Sequence, residues 1–483
     1  MFRRVLLIAP PSSSYLGAVR PPTGLGYLAQ SLLGEGIEYA VEDMRVRGRA
    51  SRLRRRISAF EPDLIGLSLV SFEYKRSYEL IHEIKGFRPR TPIVVGGPHV
   101  SVVREGVLEE CGDIDFGVVG AGEQVLVDLC KGNTPLEEMP GLLSRRDGAV
   151  ISGGASRAIV DLDAIPFPRY AGFDLRRYAK EIPLITSRGC PYRCIFCPNS
   201  LMKRKFVARS ASSVADEIEH WYARGIRQFN VDDDNFTLIK ERVYEICDEI
   251  ERRGLRGLFM RCANGIRADK VDRDLLARMV EVGFKEVGFG VDGGNNRVLL
   301  DIVHKGETIE TIERTIQDAL DVGLRVKAFI ILGYPGETMS DIEDSFALAQ
   351  RYPFLRVQLY NPIPYPGTAL YEQIRSQGLF LMPPEEYLNS VQDNEGATPV
   401  FESPELPADL RRQILRRARS IESAVTQRAV ERMFRDLPII RTLAGWFLGT
   451  KFGQRAFFNN RLVRSVADRI WYRKMMSGQS EAV

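Results

Sequence analysis

Three cysteines fall within eight residues, in the run Ser187-Arg188-Gly189-Cys190-Pro191-Tyr192-Arg193-Cys194-Ile195-Phe196-Cys197-Pro198. The spacing is C-x3-C-x2-C. Thiolates are soft ligands that select zinc or iron–sulfur clusters. A cluster is normally held by four thiolates, so a local set of three leaves one iron of a cubane open to another ligand. Wrapping three sulfurs around one cluster needs a loop, and the flanking Gly189, Pro191 and Pro198 favour one. On spacing alone two other readings stand beside this one. One is a zinc site completed by a distant Cys or His; the other is three buried thiols. The remaining cysteines, Cys111, Cys130, Cys247 and Cys262, are scattered. Seven in all is few and odd, which speaks against a disulfide framework and for a reducing compartment.

Acidic and glycine-rich runs accompany the cysteines. Asp232-Asp233-Asp234-Asn235 follows an apolar strand run. It either faces a ligand or caps the next helix. Gly290-Val291-Asp292-Gly293-Gly294 ends another strand run. Lys305-Gly306-Glu307-Thr308, Gly333-Tyr334-Pro335-Gly336-Glu337-Thr338 and Pro364-Tyr365-Pro366-Gly367-Thr368 carry turn and cap chemistry. Nearer the start are Pro21-Pro22-Thr23-Gly24, Ser68, Gly96-Gly97-Pro98-His99 and Gly120-Ala121-Gly122-Glu123. His99, after a Gly-Gly-Pro turn, reads as a hydrogen-bonding loop histidine.

Two alternating series must position these residues. In 1–135 the strand runs are Val5–Ala9, Glu38–Glu42, Asp63–Leu69, Pro92–Val95 and Asp115–Val119, with helical stretches near 24–34, 51–60, 75–85, 103–110 and 122–130. Such alternation predicts an α/β, doubly wound, Rossmann-like domain. Its ligands bind at the carboxyl edge of the strands, where Ser68 and the glycines fall. Residues 136–180 read as a connector with a hairpin turn at Asp147-Gly148. In 181–375 the strands Leu184–Thr186, Gln228–Val231, Leu258–Arg261, Glu286–Gly290, Val326–Leu332 and Val357–Tyr360 alternate with five helices. Six units predict a partial (βα)6 barrel, whose site lies at the strands' C-terminal ends. That places the cysteines in the barrel mouth. Residues 376–483 read as a C-terminal helical region.

Composition places the chain among globular proteins: 483 residues, 44% hydrophobic and 27% charged. The net charge of +4 hides an asymmetry. Residues 411–474 hold 16 Lys and Arg against 4 Asp and Glu, a local +12 that leaves −8 elsewhere. Aromatics such as Trp446, Phe447, Trp471 and Tyr472 are interleaved with this charge. The stretch suits either a surface helix on an anionic membrane or a helical cap with a solvated arginine face. No nucleic-acid motif accompanies it, so no nucleic-acid partner is expected. No apolar stretch reaches the 18 or so residues of a spanning helix, and the VLLIA run at the start is too short for a signal. The expected location is the cytoplasm, with membrane association through the tail as an option.

The cysteine run, with aromatic Phe196 before the last cysteine, resembles the motif of radical S-adenosylmethionine (SAM) enzymes. The resemblance implies that Cys190, Cys194 and Cys197 bind a [4Fe–4S] cluster whose open iron takes SAM. Reduction then yields a 5′-deoxyadenosyl radical. It also implies SAM contacts from Phe196, Asp232, Asp233, Asp234 and Asn235. Asp292 stands where many members have Glu in a Gly-Ile-Glu-Ser-Gly sequence, so the resemblance implies a ribose contact from a shorter carboxylate. A doubly wound domain ahead of such a barrel resembles the cobalamin-binding class. That implies cobalamin bordered by Ser68, Gly96, Gly97, Gly120, Gly122 and Glu123. The Asp-x-His-x-x-Gly half of a known cobalamin motif is missing, which implies no protein histidine on cobalt. The expected reaction is methylation of an unactivated carbon of a hydrophobic or secondary-metabolite substrate. Oxidative cyclisation or rearrangement, as in tetrapyrrole cyclases, is the alternative, and a non-catalytic zinc module is the alternative from another class. The implied partners are a small-molecule substrate and a flavodoxin- or ferredoxin-type electron donor; a membrane-lying tail would point to a lipid-like substrate.

Overall fold

The computed structural model describes residues 1–12, 19–46, 50–202, 205–390, 398–433 and Gly453. The first sheet contains β1 (Arg4–Ala9), β2 (Glu38–Asp43), β3 (Leu64–Ser68), β4 (Ile93–Gly96) and β5 (Phe116–Val118), in the order β2-β1-β3-β4-β5 and all parallel. Leu6, Ile8, Ile65 and Val95 pack on one face; Val5, Leu7, Leu64 and Val94 pack on the other. Burial on both faces is why these strands read as unbroken apolar runs. The strand order reverses between β1 and β3, which opens the crevice where ligands of such sheets bind.

The sheet does not stop near residue 135. The hairpin assigned to the connector forms β6 (Leu142–Arg146) and β7 (Ala149–Ser152), which extend the sheet antiparallel to β5. Asp147 and Gly148 both have positive φ, 51° and 83°, as a two-residue hairpin of mirror-image turn type requires. Leu142 and Leu143 are fully buried, and the hairpin covers what would otherwise be an open edge at β5. The predicted 103–110 helix is instead two short ones, Pro98–Val103 and Gly106–Glu110, parted at Arg104, whose φ is 59°.

The second sheet follows the six-strand expectation. It contains β8 (Glu181–Leu184), β11 (Gln228–Val231), β12 (Phe259–Ile266), β13 (Phe284–Gly290), β14 (Arg325–Ile331) and β15 (Arg356–Tyr360). The order is β15-β14-β13-β12-β11-β8, and every pair is parallel. β8 begins three residues before the expected start because Pro183 lies inside it. An edge strand accepts a proline, since its outward N–H has no ladder partner to lose. Between β8 and β11, the short strands β9 (Ser187–Arg188) and β10 (Val207–Ala208) pair antiparallel and bracket the cysteine loop.

The far edge, β15, is covered by the helix Ala408–Met433. Glu422 accepts the Leu359 N–H at 2.7 Å, Arg419 donates to the Leu359 carbonyl, and Arg432 reaches the Phe354 carbonyl at 2.9 Å. Arg411 is buried and donates to the Gly333 carbonyl at 2.7 Å. The first arginines of the 411–474 stretch therefore serve the barrel. From 434 onward that stretch lies outside the described residues, Gly453 apart. Among the described residues no helix is long and apolar enough to cross a membrane.

Candidate functional site

The three cysteines lie on one loop between β9 and β10, and all three are half-buried and free of disulfides. Three consecutive aspartates after β11 organise it, each differently. Asp234 accepts the Gly189 N–H at 3.0 Å and the Asn199 side-chain amide at 2.8 Å. One carboxylate thus ties both ends of the loop. Asp233 is buried and accepts from the Thr186 N–H at 2.6 Å, the Thr186 hydroxyl at 2.5 Å and the Ser187 hydroxyl at 2.6 Å. Its oxygens are occupied by the strand end that launches the loop. Asp233 therefore leaves the set of expected SAM contacts and becomes a positioning residue. Asp232 is half-buried and pairs with Arg20 at 3.0 Å. Asn235 is 1% exposed, and neither atom of its amide has a hydrogen-bond partner.

Burial pushes the Cys194 thiol up and the Cys197 thiol up to about 12. The nearby Lys305 ammonium works the other way on Cys194. Lys305 is itself buried, bonded to Asp292 at 2.6 Å and 3.1 Å from Glu307. Burial alone would discharge it; Asp292 and Glu307 outweigh burial and keep it charged. Asp292 is thus tied to Lys305 beside the cysteine loop. Phe196 is half-buried, its ring centre 6.0 Å from that of the fully buried Tyr334.

A cavity of about 630 Å³ runs from the carboxyl edge of the first sheet to the mouth of the second. Ser68, Gly96, Gly97, Gly120, Gly122 and Glu123 line it on one side; Ser187, Arg188, Asp232 and Asp234 line it on the other. Connector residues Ser156–Ile159 form a further wall. Gly97 and Gly120 have φ of 102° and 86°, and a Cβ there would meet the Leu69 carbonyl at 2.6 Å or the Ser156 hydroxyl at 2.8 Å. The protein itself needs glycine at both. At Gly24 a Cβ would meet nothing within 4 Å, and at Gly96 nothing nearer than Val118 at 3.8 Å. Those two leave bare backbone toward the cavity. Glu123 pairs with Arg188 at 2.7 Å, and the Arg188 guanidinium lies 4.7 Å above the Tyr27 ring. This ion pair joins the helix Glu123–Lys131, which follows β5, to the residue two before Cys190.

The donor set fits the two implied metal groups. Three free thiols on one loop suit a cluster that needs three protein ligands. The bare glycine edge suits a broad flat group. His99 is spoken for: its ring nitrogens lie 3.2 Å from the Tyr78 and Ser71 hydroxyls, and it stacks on Tyr74. Burial lowers its pKa to about 4, so the imidazole is neutral. Sequence reasoning missed Arg188, Arg20 and the burial of Lys305. Arg188 lay next to the motif, but neither arginine's partner is near it in sequence.

Residues 184–349 match the radical SAM superfamily, and residues 15–130 match the B12 binding domain. An uncharacterized methyltransferase of Pyrococcus horikoshii is 29% identical over 78% of this chain and 84% of its own length. The anaerobic magnesium-protoporphyrin IX monomethyl ester cyclase of Rubrivivax gelatinosus is 27% identical, over 75% of this chain and 68% of its own. The solved structure of TsrM from Kitasatospora setae, a radical S-adenosylmethionine methyltransferase with cobalamin and a [4Fe–4S] cluster bound, superposes with a TM-score of 0.68. It is 23% identical and covers 86% of this chain and 85% of that one.

Proposed function

We propose that this chain, which carries a B12 binding domain and a radical SAM domain, is a cobalamin-dependent radical SAM enzyme that methylates an unactivated carbon of a small molecule. Its cofactors are a [4Fe–4S] cluster, SAM and cobalamin. When bound, they supply an electron, a radical initiator and a methyl-carrying metal. The protein's part is to hold, orient and shield. Cys190, Cys194 and Cys197 hold the cluster, and Asp233 and Asp234 fix the loop that carries them. Lys305 places a buried positive charge beside the thiolates. Asp232, Asn235, Phe196 and Asp292 are our assignments for SAM. Gly24 and Gly96 leave room for cobalamin, with Ser68, Gly97, Gly120 and Gly122 along the same edge. The Glu123–Arg188 pair fixes one domain against the other.

The observation that carries this reading is the single cavity lined by the glycine edge of one domain and the cysteine-loop edge of the other. It brings the glycine edge of one domain and Ser187 and Arg188, just before the cysteine loop, onto one space. The test is anaerobic reconstitution with cobalamin, a chemical reductant and methyl-labelled SAM. Label transferred to a carbon of the product is the expected result. Reductive SAM cleavage with no label in product supports the cyclase reading, which the Rubrivivax relative favours. We further propose a cytoplasmic location and a flavodoxin- or ferredoxin-type donor. A lipid-like substrate and membrane contact rest on the composition of the tail alone. Failure of the full chain to pellet with anionic liposomes at physiological salt removes both.

A further inference from the structure

Tyr334 carries a hydroxyl that its own fold does not use. The residue is 0% exposed, and its oxygen has no hydrogen-bond partner. Leaving such a group unpaired costs about 1–3 kcal/mol, and an orphan of this kind needs a reason. The surroundings supply one. Tyr334 shares a buried cluster with Ile195, and Cys194 and Phe196 pack against that cluster. The Tyr334 ring centre lies 6.0 Å from that of Phe196, the residue before Cys197. Among the neighbouring charges, Lys305 is held by Asp292 and Glu307, and Glu337 accepts the Gly333 and Tyr334 N–H groups at 2.5 and 2.6 Å, both through Oε2, while its Oε1 has no partner.

We propose that the Tyr334 hydroxyl donates a hydrogen bond to the sulfur face of the iron–sulfur cluster beside Cys194 and Cys197, and that this bond stabilises the reduced cluster. The inference rests on the cluster reading above. A cluster gains negative charge on reduction, and donors to its sulfurs are among the groups that set its potential. In the chain without iron the same hydroxyl is a cost. Tyr334→Phe, which deletes one oxygen and keeps the ring, therefore has opposite effects on the empty and the loaded protein.

The test has three stages. Iron and sulfide analysis of anaerobically reconstituted wild type comes first; absence of both there overturns the cluster reading itself. Thermal unfolding of the iron-free chains comes second, with Tyr334→Phe expected to unfold at the same temperature as wild type or higher. A clear drop, misfolding included, shows that the hydroxyl has a protein partner and overturns the proposal. An EPR-monitored redox titration of the loaded chains comes third. The variant is expected to be about tenfold harder to reduce, about 59 mV more negative for one electron. A variant that folds as well as wild type but cannot hold iron also supports the bond. Equal iron with an unchanged or higher midpoint overturns it.

Discussion

Replacing Asp233 separates a positioning residue from a ligand contact. Its two oxygens satisfy three buried donors at 2.5–2.6 Å, and the Arg242 guanidinium beside it donates to the Thr186 carbonyl at 2.6 Å. The two hydroxyls can turn to other acceptors, but the Thr186 N–H cannot. Asp233→Ala leaves that donor and the buried arginine uncompensated, a loss of about 3–5 kcal/mol. Asp233→Asn keeps the shape and one acceptor and should cost about 1.5–3 kcal/mol. In urea, at about 3 kcal/mol per molar for a large domain, the alanine variant should lose roughly 1–1.7 M of midpoint. The assay is urea unfolding of the iron-free chain, followed by equilibrium dialysis of SAM on whatever folded protein reconstitutes. Asp234→Asn is the companion. It keeps one acceptor and so frees one end of the cysteine loop; it should weaken iron loading while moving the urea midpoint little. An Asp233→Ala chain with the wild-type midpoint but no SAM binding would refute the reasoning and return Asp233 to the ligand set.

Alanine at Cys190, Cys194 or Cys197 should each abolish cluster loading, read as iron and sulfide content, while Cys111→Ala leaves it intact. His99→Phe keeps the stack on Tyr74 but strands the Tyr78 and Ser71 hydroxyls, so stability should fall by about 1–3 kcal/mol. The absorption spectrum of bound cobalamin should not move; a changed cobalt spectrum would make His99 a ligand. Burial raises Glu337 from 4.5 to about 7, so its contribution is full below about pH 4.5 and is lost as pH rises through 7. Glu337→Gln, which mimics the protonated form, should match wild type near pH 4.5 and exceed it by about 3 kcal/mol above pH 7. Paired unfolding curves across that range check this; parallel curves would contradict it.

The strands were legible because burial on both faces writes itself as unbroken apolar runs, and five of the six barrel strands lie where the runs place them. The hairpin turn at Asp147-Gly148 was legible too, but not which sheet its strands would join, because pairing partners leave no mark in a short local run. The three aspartates show the same limit at the site. In sequence they are one letter repeated. In the fold, the turn after β11 sends Asp232 to Arg20, Asp233 to Thr186 and Asp234 to Gly189. Partners 45 to 212 residues away decide their roles. Lys305 was visible as part of a turn motif, but the two carboxylates that let it stay charged in the interior were not.

The helix along β15 has a consequence for the molecule's behaviour in a crowd. A parallel sheet with an open flank is a template on which another chain can lay a strand. Here the two flanks are guarded by unrelated means. Pro183 sits in β8, and Glu422, Arg419 and Arg432 occupy the backbone valences of Leu359 and Phe354. The arginine-rich helix is therefore a bumper as much as a cap. A chain cut at residue 407 would keep every cysteine and glycine of the site, yet should turn up in pellets rather than as a smaller enzyme. Its exposed flank would recruit the next copy.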